Sequence, residues 1–169
     1  LVGFLPRPGS WMPWLKRGLA LLLAGTMLWL GTVLASVMAT GKADDADTQW
    51  AVWSPAVLEG TLEEGRPVLV DVTADWCVTC KANKALVLDR APVAPALAAA
   101  VAAGRLTLLR ADWTRPDPDI AAFLAAHGRY GIPFNILLQP AGRPPVILPE
   151  LLTGSAVMAA LEKAGVTAK

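Results

Sequence analysis

The segment 67–74, PVLVDVTA, predicts a β-strand at the centre of a sheet. Its residues are mainly β-branched and apolar, which is typical of a strand buried on both faces. Three residues beyond it, Cys77 opens a Cys-x-x-Cys sequence that ends at Cys80, and a helical pattern covers residues 76–89. A buried strand that runs directly into a helix predicts a βα unit, with the two cysteines at the junction.

The segments around this unit continue the alternation of helices and strands. The order βαβα followed by ββα predicts the α/β class, with a mixed central sheet and helices on both faces. Ser155 is the predicted N-cap of the last helix. Besides 67–74, strands are predicted at 106–111, 134–139 and 146–148, and helices at 55–64, 76–89, 93–103, 117–127 and 155–164.

Cys77 and Cys80 are the only cysteines of the chain, and three interpretations of the pair compete. A structural disulfide here would close a very small loop and therefore stabilise little by the loop-entropy argument. A metal site needs about four ligands, and His127, the single histidine, lies at a predicted helix end where it caps or faces solvent. A redox pair needs Cys77 at a helix N-terminus, where unpaired N–H groups and the helix dipole favour the thiolate. The sequence provides that arrangement.

Three further features favour the redox interpretation. Asp71 lies in the middle of the apolar strand, where a buried carboxylate is costly unless it has a task such as accepting a proton from Cys80. An aspartate at a strand edge facing water is the alternative. Trp76 directly precedes the pair and can shield it from solvent. Ile132 and Pro133 come just before a predicted strand, where proline is tolerated at the first residue and a cis bond is feasible.

The run VDVTADWCVTCK, followed much later by YGIPFN, resembles the thioredoxin fold. It is similar in particular to the C-terminal periplasmic domain of the DsbD/ScsB-type protein-disulfide reductases, over about residues 50–165. The preceding PRPGSWMPWLKR and the apolar segment after it resemble the last transmembrane span of that family. The resemblance implies a thiol–disulfide interchange protein that requires no cofactor.

The resemblance also implies roles for individual residues. Cys77 would be the exposed nucleophile and Cys80 the resolving thiol, while Asp71 takes the place of the buried acid of thioredoxins. Pro133 falls on their cis-proline, and the backbone at Ile132 would pair with the substrate chain.

Three positions align less well with the family. Arg110 corresponds loosely to a lysine that many thioredoxins have near the buried acid. Family members can carry an acidic residue a few positions beyond the second cysteine. Here Asn83 and Lys84 occupy that region, which puts in doubt a second carboxylate at the site.

Residues 18–41 form an apolar run of 24 residues without a charge. As a helix the run would be roughly 36 Å long, enough to cross a hydrocarbon core of about 30 Å. Lys16 and Arg17 precede it, so the positive-inside rule places the N-terminus in the cytoplasm and the rest outside. A cleaved signal peptide is the alternative, since residues 37–39 (VMA) resemble a cleavage site. Both interpretations export the rest of the chain.

Four tryptophans flank this run, and their expected roles differ. They could serve as interfacial anchors, and for the second pair a place in a buried core is the alternative. The four are Trp11 and Trp14 before the run and Trp50 and Trp53 after it.

The expected organisation has four parts. An N-terminal segment (1–17) precedes the transmembrane helix (18–41), an acidic linker (42–49) and the thioredoxin-like domain (50–169). Because the sequence begins at Leu1 without an initiator methionine, we expect it to be a fragment of a longer protein.

The predicted protein is a reductase of the bacterial inner membrane with its thioredoxin-like domain in the periplasm. It would take electrons from a membrane-embedded thiol pair, in the same full-length protein or a separate chain, and pass them to oxidised periplasmic proteins. The family resemblance implies disulfide isomerases or cytochrome c maturation factors as recipients. The formal net charge of +1 gives no indication of a nucleic-acid surface, so no nucleic-acid partner is expected. The alternatives are a stand-alone tethered thioredoxin for cytochrome c maturation and a copper- or zinc-binding module built on Cys77 and Cys80.

Overall fold

The computed structural model of the chain describes residues 12–39 and 49–166. The chain forms two units, Leu1–Ala43 and Asp44–Lys169. The described part of the first unit is a single helix, α1 (Met12–Ala39). Over the described residues, no single helix has both the length and the hydropathy that a membrane span needs. Trp11, the predicted linker except its last residue, and the end of the predicted span lie outside the described residues.

The second unit is an α/β domain built on a five-stranded mixed sheet. Its strands are β1 (Trp50–Val52), β2 (Val68–Thr73), β3 (Thr107–Asp112), β4 (Phe134–Leu138) and β5 (Val146–Ile147), in the spatial order β1-β3-β2-β4-β5. β1 and β2 run parallel to β3, whereas β4 is antiparallel to β2 and to β5. The predicted mixed sheet is confirmed, and the strand predicted at 67–74 is its central strand.

Helices cover both faces of this sheet, as predicted. They are α2 (Pro55–Glu63), α3 (Val78–Asn83), α4 (Val93–Ala102), α5 (Pro118–Ala126) and α6 (Gly154–Lys163). Because side chains alternate along β2, Leu69 packs into the apolar cluster that includes residues of α4 and α6, whereas Val70 packs into the cluster of α2 and α5. Asp71 lies two residues after Leu69 in β2, so its side chain is on the same face of the sheet, the face covered by α3, α4 and α6.

The first strand was not predicted from the sequence. β1 has only three residues, too short a run for an alternating pattern to be recognised. For Trp50 and Trp53 the core alternative is the one that the structure shows. Trp53 is 7% exposed, and Trp50 packs in part against the apolar cluster of α4 and α6. Trp14, on α1, is 74% exposed.

The starts of α3 and α6 differ from the prediction. The helix predicted at 76–89 begins at Val78 and continues beyond α3 as a π-helical turn, Lys84–Leu88. The N-cap of α6 is Thr153, not Ser155, because the Thr153 hydroxyl accepts the Ala156 N–H at 3.2 Å. Ser155 lies inside the first turn.

Candidate active site

Cys77 is the N-cap of α3, at the point where the chain leaves β2. Its N–H donates to the carbonyl of Ala74 at 3.0 Å, which closes the short loop between strand and helix. Its Sγ accepts the N–H of Cys80 at 3.2 Å, and the two cysteines form a disulfide. The first-turn N–H groups direct partial positive charge at Cys77 Sγ, which favours a thiolate there after reduction.

Both cysteines are buried in this disulfide form. Cys77 is 6% exposed and Cys80 is 4% exposed, so the description of Cys77 as an exposed nucleophile is wrong for the oxidised state. The physical reason is local packing. The two cysteines form a small apolar cluster with Ala74, and Ile132 packs against it from another loop.

Ile132 and Pro133 lie beside the cysteine pair, although they are more than 50 residues away in sequence. The bond between them is cis, and Pro133 is buried directly before β4. Ile132 is partly buried against the cysteines, so this loop borders the disulfide. The structure therefore brings together the two motifs that the sequence analysis singled out.

Trp76 lies next to the pair but is exposed, with 61% of its surface accessible. Its indole N–H donates to the carbonyl of Thr114 at 3.3 Å, which ties it to the segment after β3. Tyr130, in the loop before Ile132, is 83% exposed, and Val78 is 80% exposed. The surface close to the disulfide thus presents large side chains that no described residue covers.

Asp71 is buried in the middle of β2, where the sequence placed it; the alternative of a water-facing strand edge is wrong. It is 6% exposed. The amide Nδ2 of Asn135 donates to Asp71 Oδ1 at 2.7 Å. On the other side, Nε of Arg110 lies 3.5 Å from Asp71 Oδ2, and the Arg110 guanidinium stacks 4.8 Å from the ring centre of Trp50.

The pKa of Asp71 is raised above its ordinary value because burial penalises the charged carboxylate. The positive charge of Arg110 opposes this shift, as do the hydrogen bonds from Asn135 and Arg110 and the charge of Lys84. Desolvation is the largest of these effects, so the carboxyl group is a weaker acid than an exposed aspartate. A raised pKa moves it toward the pH range in which a carboxylate exchanges protons with a thiol.

Asp71 and Cys80 line the same cavity, which measures about 280 Å³. That volume far exceeds the roughly 10–15 Å³ that one water molecule needs. The remaining lining residues are largely charged: Thr73, Ala74, Asp75, Lys81, Lys84, Arg110 and Asp112. The inner cysteine and the buried carboxyl group therefore share a largely polar cavity.

Asn135 is the site residue that the sequence analysis missed. It is 3% exposed and contacts Asp71 directly, yet it lies in the strand FNILL, for which the sequence analysis predicted a strand and no site residue. The signal was present, because a polar residue inside such a strand needs a hydrogen-bond partner.

Asn83 and Lys84 are also near the site. Lys84 lines the cavity and pairs with Asp89 at 2.8 Å.

His127 is not part of this site. Its Nδ1 lies 2.8 Å from the carbonyl of Phe123, and its ring packs against Phe123 and Phe134. Within residues 12–39 and 49–166, no group of three or more His, Cys, Asp or Glu side chains is arranged to hold a metal ion.

The fold and the disulfide at the start of α3 define a thiol–disulfide oxidoreductase of the thioredoxin class. The chain belongs to the thioredoxin-like family, whose model matches residues 49–140. Within this family its thioredoxin-like domain is similar in sequence to DsbD proteins, in agreement with the sequence resemblance.

Two curated relatives are similar to the chain in sequence. It is 31% identical over 157 residues to the thiol:disulfide interchange protein DsbD of Ralstonia nicotianae, covering 83% of this chain and 24% of that protein. It is 36% identical over 93 residues to thiol:disulfide interchange protein DsbD 1 of Pseudomonas aeruginosa, covering 53% of this chain and 15% of that protein. The chain therefore spans about a quarter or less of these relatives' length.

The fold is also that of a solved structure, the C-terminal domain of Neisseria meningitidis DsbD in the oxidised form. The TM-score is 0.53 with 24% sequence identity, over 68% of this chain and 99% of that domain. The domain in its reduced form matches with a TM-score of 0.52 and 23% identity, over 68% of this chain and 99% of that chain.

Proposed function

We propose that this chain is a membrane-anchored protein-disulfide reductase that passes electrons from a membrane thiol pair to oxidised proteins of the periplasm. The observation that carries the proposal is the shared cavity of Asp71 and Cys80, directly behind a cysteine pair at a helix N-terminus. Exchange needs a stabilised thiolate and a proton acceptor for the second thiol. In this proposal the helix N-terminus stabilises the Cys77 thiolate, and Asp71 accepts the proton of Cys80.

The first step is attack by Cys77. After reduction, its thiolate is stabilised by the N–H groups at the start of α3 and attacks one sulfur of a partner disulfide. A mixed disulfide forms between Cys77 and the partner, and the other partner sulfur leaves as a thiolate. The cis-proline loop receives the partner chain, with the backbone at Ile132 pairing with it and Trp76 covering the sulfurs.

The second step is resolution by Cys80. Its thiol proton passes through the shared cavity to the Asp71 carboxylate, and the resulting thiolate attacks Cys77 Sγ. The Cys77–partner bond breaks, the partner is released as a dithiol, and the Cys77–Cys80 disulfide is restored. Two electrons move to the partner in each cycle, so a thiol donor must then reduce the disulfide again.

The donor and the recipients are proposed from the DsbD likeness. The donor is a thiol pair in a membrane-embedded domain of the same full-length protein or of a separate chain. The recipients are oxidised periplasmic proteins such as disulfide isomerases or cytochrome c maturation factors. The anchor is the apolar run 18–41, of which α1 covers residues up to 39. A periplasm-specific reporter fused after Lys169 should be active, and activity of a cytoplasm-specific reporter at that position would exclude this topology.

The reductase mechanism is tested by trapping the mixed disulfide. In a Cys80→Ser variant the first step proceeds but resolution does not, so adducts of Cys77 with partner proteins should accumulate on non-reducing gels. The Cys77→Ser variant is the matched control and should form none. Adducts in the control, or none in either variant, would contradict the assigned order of attack.

A further inference from the structure

Three polar residues form a row across the three central strands of the sheet. In the pairing of β2 with β3, Asp71 lies opposite Arg110, and in the pairing of β2 with β4 it lies opposite Asn135. Directly paired residues present their side chains on the same face, so the row lies on the α3 side, beneath the cysteine pair. Polar side chains in a buried layer are costly unless they satisfy one another.

The two oxygens of Asp71 have different partners in this row. Oδ1 accepts the hydrogen bond from Asn135 Nδ2 at 2.7 Å, and Oδ2 lies 3.5 Å from Arg110 Nε. Asn135 is 3% exposed and lies in β4, directly after Phe134 and the cis-proline, so its backbone is held by the pairing with β2. Arg110, the partner of Oδ2, lines the cavity that contains Cys80, whereas Asn135, the partner of Oδ1, is not one of its lining residues. We therefore assign Oδ2 to the cavity side.

Among the side chains that lower the Asp71 pKa, Asn135 is the uncharged one. The ionisable groups lining the cavity are Asp75, Lys81, Lys84, Arg110 and Asp112 from the surrounding loop, helix and strand. Of these, Arg110 and Lys84 lower the Asp71 pKa through their positive charges. The Asn135 amide instead donates a short hydrogen bond in one direction, which favours the ionised carboxylate and fixes its rotation.

We propose that Asn135 is a positioning residue for the exchange reaction, favouring the ionised form of Asp71 and directing Oδ2 toward the cavity to accept the Cys80 proton. This inference rests on the proposed function, because it assigns a helper to the step in which Cys80 resolves the mixed disulfide. In that step the Cys80 S–H bond breaks, its proton moves to Asp71 Oδ2, and the thiolate displaces the partner sulfur from Cys77. Asn135 takes no proton and contacts neither sulfur in this scheme.

The test compares Asn135→Leu and Asn135→Asp with the unchanged protein, using the full 169-residue chain in detergent. Both variants lose the amide donor, and Asn135→Asp keeps the side-chain shape while adding a second carboxyl group. The pKa of Asp71 should rise by about one pH unit in Asn135→Leu and further in Asn135→Asp. The acid limb of the disulfide-exchange rate should move to higher pH by the same amounts. If Asn135→Leu does not fold, the isosteric Asn135→Asp variant decides.

Two readouts separate this inference from the proposed function. The first is the titration of Asp71 in protein labelled with ¹³C at aspartate, whose signal is identified by its loss in Asp71→Asn. An unchanged Asp71 titration in both Asn135 variants overturns the role of Asn135. The second is the pH profile of exchange. If Asp71→Asn leaves that profile as it is, the proposed proton transfer fails, and with it the positioning role.

Asn83→Ala is the matched control. Asn83 is also buried, at 5% exposure, but its amide bonds the backbone of Glu150 and Leu152 instead of a carboxylate. It should lower stability without moving the Asp71 titration or the acid limb. If Asn83→Ala moves the acid limb of the exchange rate as far as the Asn135 variants do, any loss of packing near α3 moves the pH profile. That result would overturn the inference.

Discussion

At the scale of single residues, Asp71 makes the stability of the domain depend on pH. Its pKa in the folded state is raised from 3.8, so the folded protein keeps a proton that the unfolded chain has already lost. Stability therefore falls as pH rises from about 4 through the folded-state pKa. We expect Asp71→Asn to be more stable than the unchanged protein at pH 8, with the difference shrinking toward pH 4. Urea unfolding at pH 8 and pH 4 measures the difference in unfolding free energy between the two proteins. If this difference does not change with pH, burial does not penalise the ionised form of Asp71.

At the scale of secondary-structure elements, Asn83 connects α3 to the loop before α6. Its Nδ2 donates to Glu150 O at 2.7 Å, and its Oδ1 accepts Leu152 N–H at 3.0 Å, across more than 60 residues. Asn83→Ala leaves both backbone groups without this partner, and we expect a loss of about 2–3 kcal/mol in unfolding free energy. Thr153→Ala, which removes only the α6 cap, should cost about 1 kcal/mol. If Asn83→Ala and Thr153→Ala lower the unfolding free energy equally in urea titrations, water has replaced the hydrogen bonds of Asn83.

Also at this scale, the elements show where sequence reasoning succeeds and where it stops. β2 and its junction with Cys77 were predictable, because apolar β-branched residues run directly into the cysteine motif. The start of α6 was not, since Thr153 and Ser155 are both good caps and only the folded backbone selects between them. Asn135 could be recognised as a polar residue in an otherwise apolar strand, but its partner could not. That Asn135 bonds Asp71 depends on the register of β4 against β2, which no local pattern contains.

At the scale of the whole molecule, the prediction concerns the direction of electron flow. The residues between the cysteines are Val78 and Thr79, which supply no cation to stabilise the Cys77 thiolate beyond the helix N-terminus. Strong oxidants of this fold have potentials of about −120 mV because their reduced form is stabilised, whereas thioredoxin lies at about −270 mV. We expect the full chain to equilibrate with glutathione closer to the second value. A potential close to −120 mV would make the protein an oxidase instead.

The burial of both cysteines affects how fast different thiols can reduce the disulfide. With Cys77 only 6% exposed, a small thiol in solution meets the disulfide rarely, even where reduction would be favourable. To reach the sulfur, a protein partner would have to dock against Ile132 and Trp76 and displace the loop. In the proposed role, the domain would thus keep its redox state during diffusion between partners and change it mainly on docking. It would exchange slowly with small thiols, so the redox state of its cysteine pair would be set by its protein partners more than by the surrounding thiol buffer.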